Sequence, residues 1–160
     1  MPDSPWLTPA EERAWRGYML MHPLVDLRIS RDLSRDSGLS MADYMVLVSV
    51  SEDADRQLRL VELAEVMLWS KSRLGHHLDR MVARGLVLRR QLPTNSRATV
   101  IELTEAGWAA IRQAAPLHVR SVRRHLLDLL SADQVAALAD ITETVLGQVD
   151  GVRPDADRSD

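Results

Sequence analysis

Between Lys71 and Arg84, the side chains Ser72, Arg73, His76 and Arg80 follow one another at intervals of one, three and four residues. On an α-helix each residue advances about 100°, so this spacing gathers the four, with Ala83, on one side. Their chemistry is hydrogen-bond donation. A guanidinium, from Arg73 or Arg80, can give two parallel bonds to guanine O6 and N7, and the imidazole of His76 can donate to a purine N7. Ser72 is short enough to let the helix come close to a surface. Ser70, an expected N-cap, and Lys71 suit backbone phosphate. Leu74, Leu78, Met81 and Val82 fall at i, i+4, i+7 and i+8 and are expected to form the core-facing stripe. Taken alone, such a helix could equally be an ordinary amphipathic one with a solvated Arg/His face.

The neighbouring elements give it a context. A short helix is expected over residues 60–67, then a turn of about three residues before Ser70. Gly85 suits the left-handed position that ends a helix. Two strands, 86–92 and 98–103, follow around the polar tip Pro93-Thr94-Asn95-Ser96-Arg97, and 57–59 can add a short strand before the first helix. Helix, turn, basic helix and hairpin in this order predict a winged helix-turn-helix, whose second helix enters the DNA major groove. At the wing, Arg97 suits a narrow minor groove or a hairpin ion pair. Arg89 and Arg90 suit phosphates at the wing's base, or acids of the body.

Charge is distributed in the same sense. The chain has 20 Lys+Arg against 23 Asp+Glu, a net of −3. From Arg56 to Thr104, nine basic residues face four acids, so this window carries +5 and the remainder −8. A basic module in an acidic body is the footprint of phosphate binding with little background stickiness.

At 160 residues and 46% hydrophobic, the chain is long enough for one domain with a proper core. It has no cysteine, which excludes disulfides, thiolate metal sites and cysteine redox sensing. No run reaches about 18 apolar residues, and no basic-then-apolar leader is visible at the N-terminus. A cytoplasmic protein with no membrane partner is expected.

The flanks read as long helices. Thr8-Pro9-Ala10-Glu11 is a capping box with proline at the first helical position. It opens a helix toward Ser37 with Gly38 as terminator, and Pro23 predicts a kink or break near His22. Ser40 starts a second helix, which ends by residues 51–55. Thr104 opens a helix expected to reach about Leu130, bent at Pro116. Ser131 and Gln134 form another capping box for a last helix to about Val149, and residues 151–160 read as a frayed tail. The fold class is therefore mainly α with a small β-wing. Segments 8–37 and 105–149 are long enough to suggest dimerisation helices around a DNA-binding module at 40–104.

The strings LSMADYMVLVSVSE (39–52), LRLVELAEVMLWSKSRLGHHLDRMVARGLVLRR (58–90) and RATVIELTEAG (97–107) resemble the MarR family of transcriptional regulators. The segment APLHVRSVRRHLLDLLSADQ (115–134) is similar to its actinobacterial branch. The resemblance runs from Trp6 to Val149. It implies a homodimer joined through the first and last two helices, and a palindromic operator on double-stranded DNA, most often for repression. It also implies a small phenolic or aromatic effector bound between the dimerisation and DNA-binding regions. The family's wing motif Asp-x-Arg falls on Asn95-Ser96-Arg97: the arginine is kept, but asparagine replaces the acid. Pro23 also departs from the family pattern.

Trp15, Tyr18, Met19, His22, Met45 and Trp69 are the residues expected to line an effector pocket, with core packing as the plainer alternative. His118, His125 and Asp128 would serve a metal-responsive regulator, but they form no convincing ligand set, so no metal or other cofactor is expected. With no glycine-rich phosphate loop, nucleophile elbow or carboxylate pair, no enzyme is expected. A constitutive regulator and a winged helix used only for protein interaction remain as alternatives.

Overall fold

The computed structural model describes residues 6–92 and 95–149, without the side chains of Leu92, Asn95, Ser96 and Arg97. Helix α1 spans Pro9–Ser37 and begins as its sequence requires. Glu11 N–H donates to Thr8 Oγ1 (3.4 Å) and Thr8 N–H donates to the Glu11 carboxylate (2.7 Å), satisfying two donors that the first turn leaves over. The helix runs unbroken through Pro23, so the break expected near His22 is absent. Gly38, at φ 70°, closes α1 in the left-handed region and its N–H donates to Ser34 O at 3.0 Å. Helix α2 (Met41–Glu52) starts with a second reciprocal box between Ser40 and Asp43.

The module that follows is β1 (Gln57–Arg59), α3 (Leu60–Val66), α4 (Lys71–Ala83), β2 (Val87–Leu92) and β3 (Asn95–Leu103). The strands form one antiparallel sheet in the order β1-β3-β2, with Leu58 opposite Ile101 and Arg90 opposite Val100. Strand β3 starts at Asn95, three residues before the expected Ala98. Leu92 pairs with Asn95 after a register shift at Gln91, so the backbone of Asn95, Ser96 and Arg97 belongs to the strand rather than to a polar tip. Pro93 and Thr94 lie outside the described residues.

Leu47, Val50, Leu63, Leu74, Leu78, Met81, Val87 and Ile101 are fully buried, so α2, α3, α4 and the sheet share one core. Helix α5 (Glu105–His125) passes Pro116 without a break and reaches this core through Ile111 and Ala114. Its close approach depends on Gly107, where an added Cβ would meet Leu86 O at 2.1 Å.

The chain divides into two compact units, one ending at Ser121 and the other beginning at Val122. In the second unit, α5 ends at His125 rather than near Leu130. Leu126 leaves helical geometry (φ −140°) and Leu127–Leu129 form a separate 3₁₀ turn. Helix α6 (Ala132–Val149) starts at the Ser131–Gln134 box, and none of its residues is buried. Among the described residues, no helix is long and apolar enough to cross a membrane.

Candidate nucleic-acid interface

Helix α4 is positioned by its inner face. Leu74, Leu78 and Met81 are fully buried as expected, but Val82 is exposed and His77 takes its place at 6% exposure. At about 100° per residue, Val82 and His77 lie on the two rims of the stripe, each about 40° outside its nearest buried member. His77 is the rim that is covered, with Asp43 Oδ1 3.1 Å from its Nε2 and the Trp69 ring at 5.6 Å. A histidine tends to be read as polar, which is why its burial was not foreseen.

The opposite face emerges as predicted. Ser70, Lys71, Ser72, Arg73, His76 and Arg80 are all exposed. Ser70 is the N-cap, its Oγ accepting from Arg73 N–H at 3.2 Å. Two of these side chains are held rather than loose. The Arg73 guanidinium lies 3.9 Å from the centroid of the Trp69 ring. Arg80 Nη1 donates to His76 O at 3.3 Å, and its Nη2 lies 3.0 Å from His77 Nδ1.

Beneath this face is a buried polar knot. Asp43, 3% exposed, receives Arg84 Nη1 on Oδ2 at 2.7 Å and Ser40 N–H on the same oxygen at 3.0 Å. His77 Nε2 lies 3.1 Å from Asp43 Oδ1, with its N–H pointing off the line of that oxygen. Burial pushes the Asp43 carboxyl up, but Arg84 and the Ser40 donors outweigh it and hold the group below the ordinary carboxylate range. Burial also pushes His77 down, reinforced by Arg80 and Arg84 and opposed by Asp43. Its imidazole is therefore neutral at pH 7.

Arg89 and Arg90 take the acid-pairing alternative. Arg89 bonds Asp79 at 2.8 Å and also donates to Gly75 O, which clamps β2 to α4. Arg90 bonds Glu102 at 2.8 Å across β2 and β3. The side chains of Asn95 and Arg97 lie outside the described residues.

The six expected effector residues are spread over α1, α2 and the turn before α4. Trp15, Tyr18 and His22 stack in succession along an exposed face of α1, with centroids 6.0 and 5.7 Å apart, and Met19 is exposed beside them. Met45 sits partly exposed on α2. Trp69 belongs to the turn before α4, its ring meeting His77 edge-on at 5.6 Å.

Two buried contacts were not foreseen. His118 packs its ring 4.4 Å from that of Tyr44, leaving Nδ1 buried without a hydrogen-bond partner, and Ser121 Oγ donates to Asp32 at 2.9 Å. Each joins residues far apart in sequence, for which no local signal exists. Asp128 of the metal-responsive alternative is paired with Arg123 at 3.1 Å. No group of three or more potential metal ligands occurs among the described residues.

The sequence pattern of the MarR family matches residues 39–99. The multiple antibiotic resistance protein MarR of Escherichia coli K12 is 32% identical over 108 residues, covering 68% of this chain and 74% of MarR. Among solved structures, AbsC, a MarR family transcriptional regulator from Streptomyces coelicolor, superposes with a TM-score of 0.85 at 35% identity, over 92% of this chain and 99% of AbsC. A second S. coelicolor MarR family regulator, solved in complex with DNA, also gives 0.85 at 33% identity, over 98% of this chain and 97% of its own. The fold is that of a winged-helix transcriptional regulator. The chain belongs to the MarR family.

Proposed function

We propose that this chain acts as a homodimeric repressor, its two α4 helices reading the half-sites of a palindromic operator, and that a small aromatic molecule releases it. The observation that carries the reading is the exposed row Ser72, Arg73, His76 and Arg80, set opposite a fully buried stripe on the same helix. A relative that is 33% identical over nearly the whole chain was solved on DNA, which supports the same use of this fold. Two recognition helices would then sit about 34 Å apart, one turn of duplex. Arg97 would serve the minor groove from the wing.

Dimerisation is assigned to residues 8–37 and 105–149, and DNA binding to 40–104. Support comes from apolar helix faces that the single chain leaves uncovered: Trp15, Tyr18 and Met19 on α1 are about half exposed, as are Ile141, Val145 and Leu146 on α6.

Gel-shift titration against the chain's own upstream DNA tests the reading. Salt-sensitive, sequence-selective binding is expected, with release by some member of a phenolic panel. Binding that no compound releases would favour a constitutive regulator. If Arg73→Ala and Arg80→Ala leave regulation in the cell intact, the winged helix serves protein interaction instead.

A further inference from the structure

Arg73 and Arg80, the two guanidiniums on the exposed face of α4, both rest on one platform, made of half-buried Trp69 and buried His77. Trp69, the residue before the N-cap, carries Arg73 on the face of its indole at 3.9 Å. The same indole meets the His77 ring at 5.6 Å and 88°, edge to face. His77 in turn holds Arg80 at 3.0 Å. Residues 69, 73, 77 and 80 are spaced four, four and three apart, so they follow one side of the helix.

The hydrogen-bonding inventory fixes the state of the middle member. An arginine has only donors, so His77 Nδ1 must be the acceptor and the proton of the neutral ring sits on Nε2. Nε2 then faces Asp43 Oδ1 3.1 Å away, a charge contact in which the N–H lies off the line of a hydrogen bond. The platform lies against the first turn of α2, where Asp43 is tied to Arg84 and Ser40.

The way each guanidinium is held leaves its reading edge available. Stacking occupies the face of Arg73 and none of its five in-plane donors. Arg80 commits one donor to His77 and one to His76 O, leaving three. Each side chain has therefore surrendered rotamer freedom before DNA arrives, which is preorganisation in the sense that sharpens recognition.

We propose that Trp69 and His77 are specificity-determining positioning residues. They touch no base, but they fix where Arg73 and Arg80 present their donors and so which bases are favoured. The proposal rests on the reading of α4 as the DNA-recognition helix.

The test compares wild type with Trp69→Leu, His77→Phe and His77→Asn, each as the full chain. A duplex selected by wild type from a randomised library is paired with a shuffled duplex of equal length, and both Kd values are measured at one fixed salt. The ratio of shuffled to selected Kd should fall about tenfold in Trp69→Leu and His77→Phe, the scale of one lost bidentate contact. Kd for the shuffled duplex should stay within about twofold, because phosphate charges set it. His77→Asn, whose Oδ1 can take over the Nδ1 acceptor role, should recover most of the ratio.

Folded Trp69→Leu and His77→Phe variants that keep the wild-type ratio would overturn the proposal. So would His77→Asn losing as much as His77→Phe. A wild type that prefers no duplex in the library would instead remove the recognition-helix reading itself, before any variant is made. Should the variants fail to fold, ¹⁵N spectra of the wild-type imidazole decide: the Nε2–H form supports the platform, and a proton on Nδ1 at pH 7.5 refutes it.

Discussion

Arg84 Nη1 lies 2.7 Å from Asp43 Oδ2, joining residues 41 apart in sequence and tying the C-cap of α4 to the first turn of α2. A carboxylate that is 3% exposed keeps its charge at that site because it accepts from Arg84 and Ser40 together. Helix α4 is thus indexed to the start of α2 by charge as well as by packing. Arg84→Met should cost about 2 kcal/mol in urea melts, a value near the lower range for a charged hydrogen bond because Arg84 is partly solvated. In the Arg84→Met background, Asp43→Asn should cost less than it does alone. A double-mutant cycle with no coupling would show that the pair is incidental.

The turn before α4 stores strain at one residue. Leu68 sits at φ 53°, in the left-handed region, with 82% of its surface exposed. Leucine has a steric cost there that glycine lacks, and so exposed a side chain gives little packing in return. Leu68→Gly should therefore raise stability by about 0.5–1 kcal/mol after the entropy of the added glycine is counted. A lower thermal midpoint would mean that the side chain makes a contact in solution that offsets the strain.

Two histidines, buried His77 and half-buried His118, give stability a defined pH dependence. Burial lowers His77, with Asp43 opposing and Arg80 and Arg84 adding to the shift, and burial lowers His118. The unfolded chain takes up protons near the ordinary value of 6.5, while the folded chain resists until lower pH. Stability is accordingly full above 6.5 and declines as pH falls below it, levelling only under the folded values. His118→Phe keeps a ring against Tyr44 and removes the unpartnered Nδ1, so it should flatten this decline and add about 1 kcal/mol at pH 6. Urea midpoints measured from pH 7.5 to 5.5 check both points. An unchanged slope in the variant would place the titration elsewhere.

What was legible in the sequence is what short-range chemistry determines. The boxes at Thr8, Ser40 and Ser131, the glycine ends at 38 and 85, and the order from α3 to β3 all rest on residues within a few positions of one another. The exposed face of α4 was legible for the same reason. What escaped were partners that no local pattern announces: the burial of His77 on Asp43, the choice of Asp79 as the acid that Arg89 pairs with, and Trp69 beneath Arg73. The start of β3 at Asn95 escaped because polar residues paired at a register shift look like a turn.

The central claim is that the exposed face of α4 reads base sequence. Its most direct test is a randomised-duplex selection with wild type and Arg73→Ala in parallel, at matched salt. The account predicts a two-fold-symmetric consensus for wild type, and for Arg73→Ala a loss of preference confined to one symmetric pair of positions, with the salt dependence of Kd little changed. A uniform loss of affinity on every duplex with the consensus intact would contradict it, and would make Arg73 a phosphate contact.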